Sequence, residues 1–122
     1  FGVPGAFTPT CSEKHLPGYI SLYDQFQKKG VHDIYCLSVN DAFVMKAWLG
    51  SYSKGYLING IADGNADFAK TMQLTTDISG GFMGTRCKRF ALIADQNNIL
   101  KLLVEEKGQF EVSSAENILN NL

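Results

Sequence analysis

The chain has 122 residues, 45 % of them apolar, and a formal net charge of −1. That suits one globular domain, and it excludes a nucleic-acid partner because no basic run is longer than the Lys28–Lys29 pair. No apolar stretch nears the ~18 residues that span a bilayer, so no membrane role is expected, and three scattered cysteines read as reduced thiols instead of a secreted disulfide framework.

Phe1–Val3 reads as the end of a strand whose beginning is missing, so the chain is expected to be partial, without its N-terminal strands. The residues point to an intracellular, reducing location, with cytoplasm expected first and a mitochondrion or plastid if a transit peptide is missing. A loop crowded with Pro4, Gly5 and Pro9 follows. A helical pattern then runs to about Lys29, with Ile20, Leu22, Tyr23 and Phe26 near helical spacing, Pro17 placed to kink it and Gly30 to stop it. Val31–Val39 is rich in β-branched and aromatic residues and predicts a buried strand. Asn40–Asp41 can cap a helix over 42–53, with Phe43, Val44, Ala47 and Trp48 on one face.

Tyr56–Ile61 predicts a short strand, Asp67–Met72 a short helix and Thr75–Thr85 a glycine-rich irregular segment. Arg89–Ala94 and Ile99–Val104 predict two strands joined by the turn residues 95–98. Ser113–Leu122 predicts an amphipathic helix with Ala115, Ile118, Leu119 and Leu122 on one stripe. Helices between strands, closed by a hairpin and a helix, predict an α/β domain of thioredoxin type over 1–122: a central mixed β-sheet flanked by helices.

All three prolines lie within Pro4–Pro17, around one thiol. With Thr8 as N-cap, Pro9 takes the first helical position and Cys11 the third, where the helix dipole and unpaired N–H groups favour thiolate. Bringing a cysteine pKa from ~8.5 to ~6.5 takes about 2.7 kcal/mol of preferential thiolate stabilisation. A helix end contributes about 0.3–2 kcal/mol, so a cation from elsewhere in the chain is needed. The plain alternative for Cys11 is a small buried core residue. Cys87, between Arg86 and Lys88, has cations beside it that could favour its thiolate, but reads as packing. The spacing of histidines and cysteines fits no zinc site, Asp63-Gly-Asn-Ala-Asp67 lacks the glycine and glutamate of a calcium loop, and no glycine-rich segment has the pattern of a nucleotide site; no metal or cofactor is expected.

The run P-G-A-F-T-P-T-C-S at Pro4–Ser12 resembles the P-x-x-x-T-x-x-C motif of peroxiredoxins. Together with H-L-P-G-Y at His15–Tyr19, S-V-N-D-A-F-V-M-K-A-W at Ser38–Trp48, A-D-G-N at Ala62–Asn65, G-T-R-C-K-R-F-A-L at Gly84–Leu92 and F-E-V-S-S-A-E-N-I-L at Phe110–Leu119, it is similar to the type II, or atypical 2-Cys, group. The resemblance implies a thiol peroxidase of antioxidant defence that reduces hydrogen peroxide and alkyl hydroperoxides through a sulfenic acid on Cys11. It makes Thr8 the orienting hydroxyl, Pro4 the shield of the sulfur and Arg89 the cation, with Arg86 competing for that place. Phe7, Ile78, Phe82 and His15 are candidate pocket residues. Cys36 matches the resolving position of plant-type members, although it lies inside an apolar strand; Val112 stands where mammalian-type members resolve. If Cys36 does not serve, an external thiol such as glutathione, glutaredoxin or thioredoxin must. The resemblance also implies a homodimer formed through loops around the site, with Phe43 and Phe82 available for it. Two other readings remain in view: a thioredoxin-like disulfide oxidoreductase, disfavoured because Thr8 replaces the first cysteine of C-x-x-C, and a non-catalytic redox-sensing interaction domain.

Overall fold

In the computed structural model, which describes residues 1–122, five strands form one mixed sheet in the order β3-β2-β1-β6-β7. These are β1 (Gly2–Val3), β2 (Tyr35–Ser38), β3 (Asn59–Ala62), β6 (Phe90–Asp95) and β7 (Asn98–Val104). The first three run parallel, with Gly2 opposite Leu37 and Tyr35 opposite Asn59; β6 is antiparallel to β1, and β7 to β6. The two-residue β1 is thus the centre of the sheet. Gly2 is needed there, because a Cβ would lie 2.0 Å from the Phe90 ring.

Helices α1 (Leu16–Ser21), α2 (Tyr23–Lys28), α3 (Ala42–Gly50) and α5 (Ala115–Asn120) contribute Leu16, Tyr19, Phe26, Met45, Trp48 and Ile118 to one core with Val3 and Cys36. A second core gathers Leu37, Leu74, Cys87 and Phe90 with Ala69 of α4 (Asp67–Thr71). Cys36 and Leu37 fall in different cores because successive strand residues face opposite sides. No helix is long and apolar enough to cross a membrane.

The expected mixed sheet with flanking helices is present, and both expected caps form: the Asp41 carboxylate accepts from Val44 N at 2.8 Å and Ser114 Oγ from Asn117 N at 3.2 Å. Several expectations need correction. The first helix breaks at Leu22, although Gly30, at φ +92°, does end its second half. Residues 31–34 stay outside β2; pairing starts only where the Ile34 carbonyl accepts from Asn59 N. In α3 the buried stripe is Met45 and Trp48, with Leu49 and, just past its end, Tyr52 partly buried, while Phe43 is 85 % exposed and Ala47 is exposed too. Asp41 fixes the start of that helix, and spacing of three and four from Met45 presents Trp48 and Leu49 to the core. A 3₁₀ turn at Gly55–Leu57 takes the first half of the expected third strand. The segment expected to be irregular is a hairpin, β4 (Thr75–Asp77) against β5 (Thr85–Cys87), closed over the turn Ser79–Gly81.

Pro17 acts through the turn before it. Cys11–His15 is a π turn in which Leu16 N donates to the Cys11 carbonyl, five residues back. That skips the Ser12 carbonyl, and Pro17 has no N–H to offer it. The Tyr52 hydroxyl donates to this carbonyl at 2.5 Å, and Trp48 Nε1 donates to Ser12 Oγ at 3.0 Å, so α3 and its end replace the missing helical bond. Tyr52→Phe is expected to cost about 1 kcal/mol of stability, read as a lower urea midpoint by the fluorescence of Trp48, the sole tryptophan; an unchanged midpoint would show that the carbonyl does not depend on Tyr52.

The larger core also encloses His15, fully buried beside Tyr19. Burial, and next the charge of Arg89, lower its pKa from 6.5 to about 3. Between those values the unfolded chain binds a proton that the folded chain excludes, so stability falls as pH falls. At 1.36 kcal/mol per pH unit, acidifying from 6.5 to 5 removes about 2 kcal/mol. Chemical unfolding of the reduced protein at pH 7 and pH 5 measures this, and His15→Gln is expected to flatten the profile.

Candidate active site

The parallel strand β1 ends at Val3 and delivers the chain into the loop before Cys11, at the carboxyl edge of the sheet where α/β folds collect site residues. Asn40 fixes the middle of this loop: its Oδ1 accepts from Ala6 N at 3.0 Å and from Ser38 Oγ at 2.5 Å. Phe7 follows at φ +63°, a left-handed conformation that costs a bulky residue energy and lets the chain turn back into the helix. Arg86 holds the other side, donating through Nε to the Met83 carbonyl at 2.9 Å and through Nη1 to the Pro4 carbonyl at 3.4 Å.

Thr8 is the backbone cap of the helix, since its carbonyl accepts from Ser12 N at 2.9 Å. Its hydroxyl does not cap the first turn as expected. It donates to the Gly5 carbonyl at 2.6 Å, which closes the loop and leaves the oxygen lone pairs as acceptors. Gly5 is confined: a Cβ there would meet the Met83 and Thr8 side chains at 3.0 Å and Arg86 at 3.1 Å.

Cys11 is 1 % exposed, and its sulfur accepts from Arg89 Nη2 at 3.5 Å. Arg89 Nη1 meets His15 Nδ1 at 3.0 Å, and His15 Nε2 meets the Ser113 carbonyl at 3.0 Å. A carbonyl only accepts and a guanidinium only donates, so the proton of His15 is assigned to Nε2 and the lone pair to Nδ1. The guanidinium also lies over the Phe110 ring, 5.8 Å from its centroid. Ser113 is fixed in turn by Glu105, whose Oε2 accepts from Ser113 N at 2.9 Å, Ser113 Oγ at 2.7 Å and Glu111 N at 2.7 Å. Burial works to raise the Glu105 pKa, but these donors outweigh it and hold the carboxyl below its usual range.

The structure therefore joins Cys11 and His15 through Arg89, with Thr8 and Pro4 held in the loop that precedes the thiol. His15 stands behind the arginine, fully buried, and not on a surface open to substrate. Phe7 and Phe82 are 58 % and 99 % exposed, and Ile78 is half-buried. Arg86 and Arg89, which competed for one place, hold different ones. Cys36 lies within the inner strand β2 and burial pushes its thiol up to about 12. Cys87 does not gain from its flanking cations: its thiol is buried on the other face of the sheet, donates to the Val3 carbonyl at 3.1 Å, and is likewise pushed up to about 12 by burial. Glu105, Ser113 and Tyr52 escaped sequence reasoning, and Asn40 was seen only as a candidate helix cap; a carboxylate ending the largely apolar strand Ile99–Val104 was the one visible signal.

A family model described as Redoxin matches residues 1–119. Peroxiredoxin-2C of Oryza sativa subsp. japonica is 49 % identical over 122 residues, covering 100 % of this chain and 75 % of the relative. Reduced Prx3 from Vibrio vulnificus, solved in complex with hydrogen peroxide, superposes with a TM-score of 0.94 at 53 % identity, over 99 % of this chain and 78 % of that one. Plasmodium falciparum antioxidant protein, described as a 1-Cys peroxiredoxin, gives 0.90 at 38 % identity, over 98 % and 71 %. The likeness thus runs through the loop, the thiol helix and the strand that follows Arg89 without a break, and the chain belongs to the Redoxin family as a thiol-dependent peroxidase of the peroxiredoxin type.

Proposed function

We propose that Cys11 is the peroxidatic thiol and that Pro4, Thr8 and Arg89 build its site. The sulfur anion attacks one oxygen of a hydrogen peroxide or alkyl hydroperoxide; the S–O bond forms as the O–O bond breaks, and the electron pair leaves on the distal oxygen, which takes a proton to become water or an alcohol. Cys11 is left as sulfenic acid. Charge grows on the leaving oxygen, so fixed donors lower the barrier. Arg89 is one, and the Cys11 N–H, in the first helical turn where backbone donors have no intrahelical acceptor, is a second. The Thr8 oxygen, its own proton committed to Gly5, is free to accept from the peroxide O–H and orient it. The observation that carries this reading is the Arg89 Nη2 contact with the Cys11 sulfur at 3.5 Å.

The sulfenic acid then condenses with a thiol, releasing water and forming a disulfide that a second thiol reduces. We read this resolving thiol as external, of the glutathione, glutaredoxin or thioredoxin kind. Cys11 stands in the first turn of a helix, where local opening costs least, whereas Cys36 lies in an inner strand paired on both sides, with β1 and with β3. Self-association as a homodimer belongs to the same proposal; it is supported by Phe7, Phe43 and Phe82, exposed to 58 %, 85 % and 99 %.

Three measurements test this. In stopped-flow mixing of reduced protein with stoichiometric peroxide, Cys11→Ser is expected to abolish fast thiol oxidation and Arg89→Gln to slow it by about 10²–10³-fold; a wild-type rate no greater than that of free cysteine would sink the assignment. Cys36→Ser is expected to sustain turnover with a glutaredoxin system, and loss of turnover together with an intramolecular disulfide in the wild type would transfer the resolving role to Cys36. Sedimentation velocity is expected to show a wild-type dimer that the Phe43→Asp, Phe82→Asp double variant dissociates, and a monomeric wild type would refute the dimer.

A further inference from the structure

Arg89 reaches Cys11 from 78 residues away on a long, flexible side chain, and its guanidinium must be held in one orientation for Nη2 to face the sulfur. What holds it is unusual for a partly buried arginine. The other terminal nitrogen bonds to the ring of His15, and no hydrogen bond to a carboxylate accompanies it. Glu105 is close in sequence pairing, since its N–H donates to the Arg89 carbonyl at 2.9 Å, yet its Oε2 is turned to Ser113 and Glu111. A carboxylate bound to the guanidinium would orient it but cancel much of the charge it presents to sulfur. A neutral imidazole orients it through a lone pair and leaves the positive charge whole.

We propose that His15 is a positioning residue of the peroxidase reaction: as a neutral ring seated on the Ser113 carbonyl, it aims Arg89 at Cys11 without neutralising it, and Glu105 anchors that seat from the far side. This rests on the reading of Cys11 as the peroxidatic thiol and Arg89 as its cation. The chain of bonds is continuous: Glu105 Oε2 to Ser113 N and Oγ, Ser113 O to His15 Nε2 at 3.0 Å, His15 Nδ1 to Arg89 Nη1 at 3.0 Å, Arg89 Nη2 to Cys11 Sγ at 3.5 Å. Tyr19 OH donates to the same Ser113 carbonyl at 2.8 Å, so both of its lone pairs are engaged. Rings on three sides keep the imidazole from turning: Phe1 at 4.8 Å, Phe110 at 5.1 Å and Tyr19 at 5.7 Å between centroids. Cys11 and His15 sit four apart in one π turn, on the same side of it, where one guanidinium can bridge both. The groups that face His15 are thus Arg89, Tyr19 and, through Ser113, Glu105; burial and the Arg89 charge keep the ring neutral down to about pH 3.

The test is a set of double-mutant cycles on the single-turnover rate with hydrogen peroxide. His15→Phe keeps the ring and removes both nitrogens; Glu105→Gln keeps the shape and removes the charge. Each is expected to slow the peroxide step, His15→Phe by about 10²-fold, the order of a misplaced catalytic group, and Glu105→Gln by less. In an Arg89→Gln background both effects are expected to vanish, because the two residues act through that arginine. His15→Gln, which restores an uncharged acceptor, is expected to recover part of the rate. Effects that persist undiminished without Arg89 would mark His15 as a general packing residue and overturn the proposal, as would a folded His15→Phe protein with the wild-type rate. If His15→Phe does not fold, the Glu105→Gln cycle decides alone. Should Cys11→Ser still consume peroxide at the wild-type rate, the underlying reading of Cys11 fails, which is a different result from any of these.

Discussion

The Arg89 guanidinium joins two parts of the molecule that the sheet alone would leave independent. Nη2 faces the sulfur of the first helix and Nη1 the histidine one π turn further on, while the backbone of the same residue leads directly into β6. The helix start is thereby tied to the antiparallel half of the sheet, and the loop 110–113 is tied to both through Phe110 and Ser113. A cation drawn partly out of water is costly unless its donors find partners. Here Nη2 and Nη1 find a sulfur and an imidazole, and the guanidinium lies over an aromatic face, with no carboxylate among its partners.

That arrangement imposes a requirement on the helix itself. Cys11 must stand in the first turn and His15 must face the same side, over a segment that ends in a proline. The π turn meets the requirement and passes the cost to one carbonyl, that of Ser12, which Tyr52 then satisfies. Trp48 and Tyr52 therefore do more than fill the core. They let a locally irregular helix exist at the position where its irregularity places two side chains beside one arginine.

Much of this was legible in the residues. The prolines around Cys11, the capping Asp41 and Ser114, and the alternation of helices and strands are local features, and local features survive into the fold. The need for a cation beside Cys11 was reachable by an energetic argument, since a helix end contributes less than a thiolate requires, but Arg89 in particular came only with the family resemblance, and Arg86 competed for the place. The α3 face was misread because Phe43 is as apolar as Trp48, yet five residues on a helix place them on different sides, and the packing of Met45 and Trp48 into the core turns Phe43 outward. The hairpin over 75–87 was hidden because its strands are three residues each, too short to show alternation. Glu105 and Ser113 were out of reach for a different reason: His15 meets Ser113 across 98 residues, and no spacing rule connects a serine in the C-terminal part of the chain with a histidine near its start.

The three cysteines show how the fold separates thiols that burial alone treats alike. Cys11, Cys36 and Cys87 are 1 %, 0 % and 0 % exposed, so accessibility does not rank them. Their hydrogen-bond partners do. Cys87 gives its proton to a backbone carbonyl, an arrangement that favours thiol, and burial pushes both it and Cys36 up to about 12. Cys11 instead receives a bond from a cation. A donor aimed at sulfur and an acceptor aimed at its proton have opposite effects on the balance between thiolate and thiol. Selectivity among the thiols is therefore a matter of which partner the backbone brings, and β1 does both: Val3 offers its carbonyl to Cys87, and the loop that leaves Val3 carries Cys11 to the arginine.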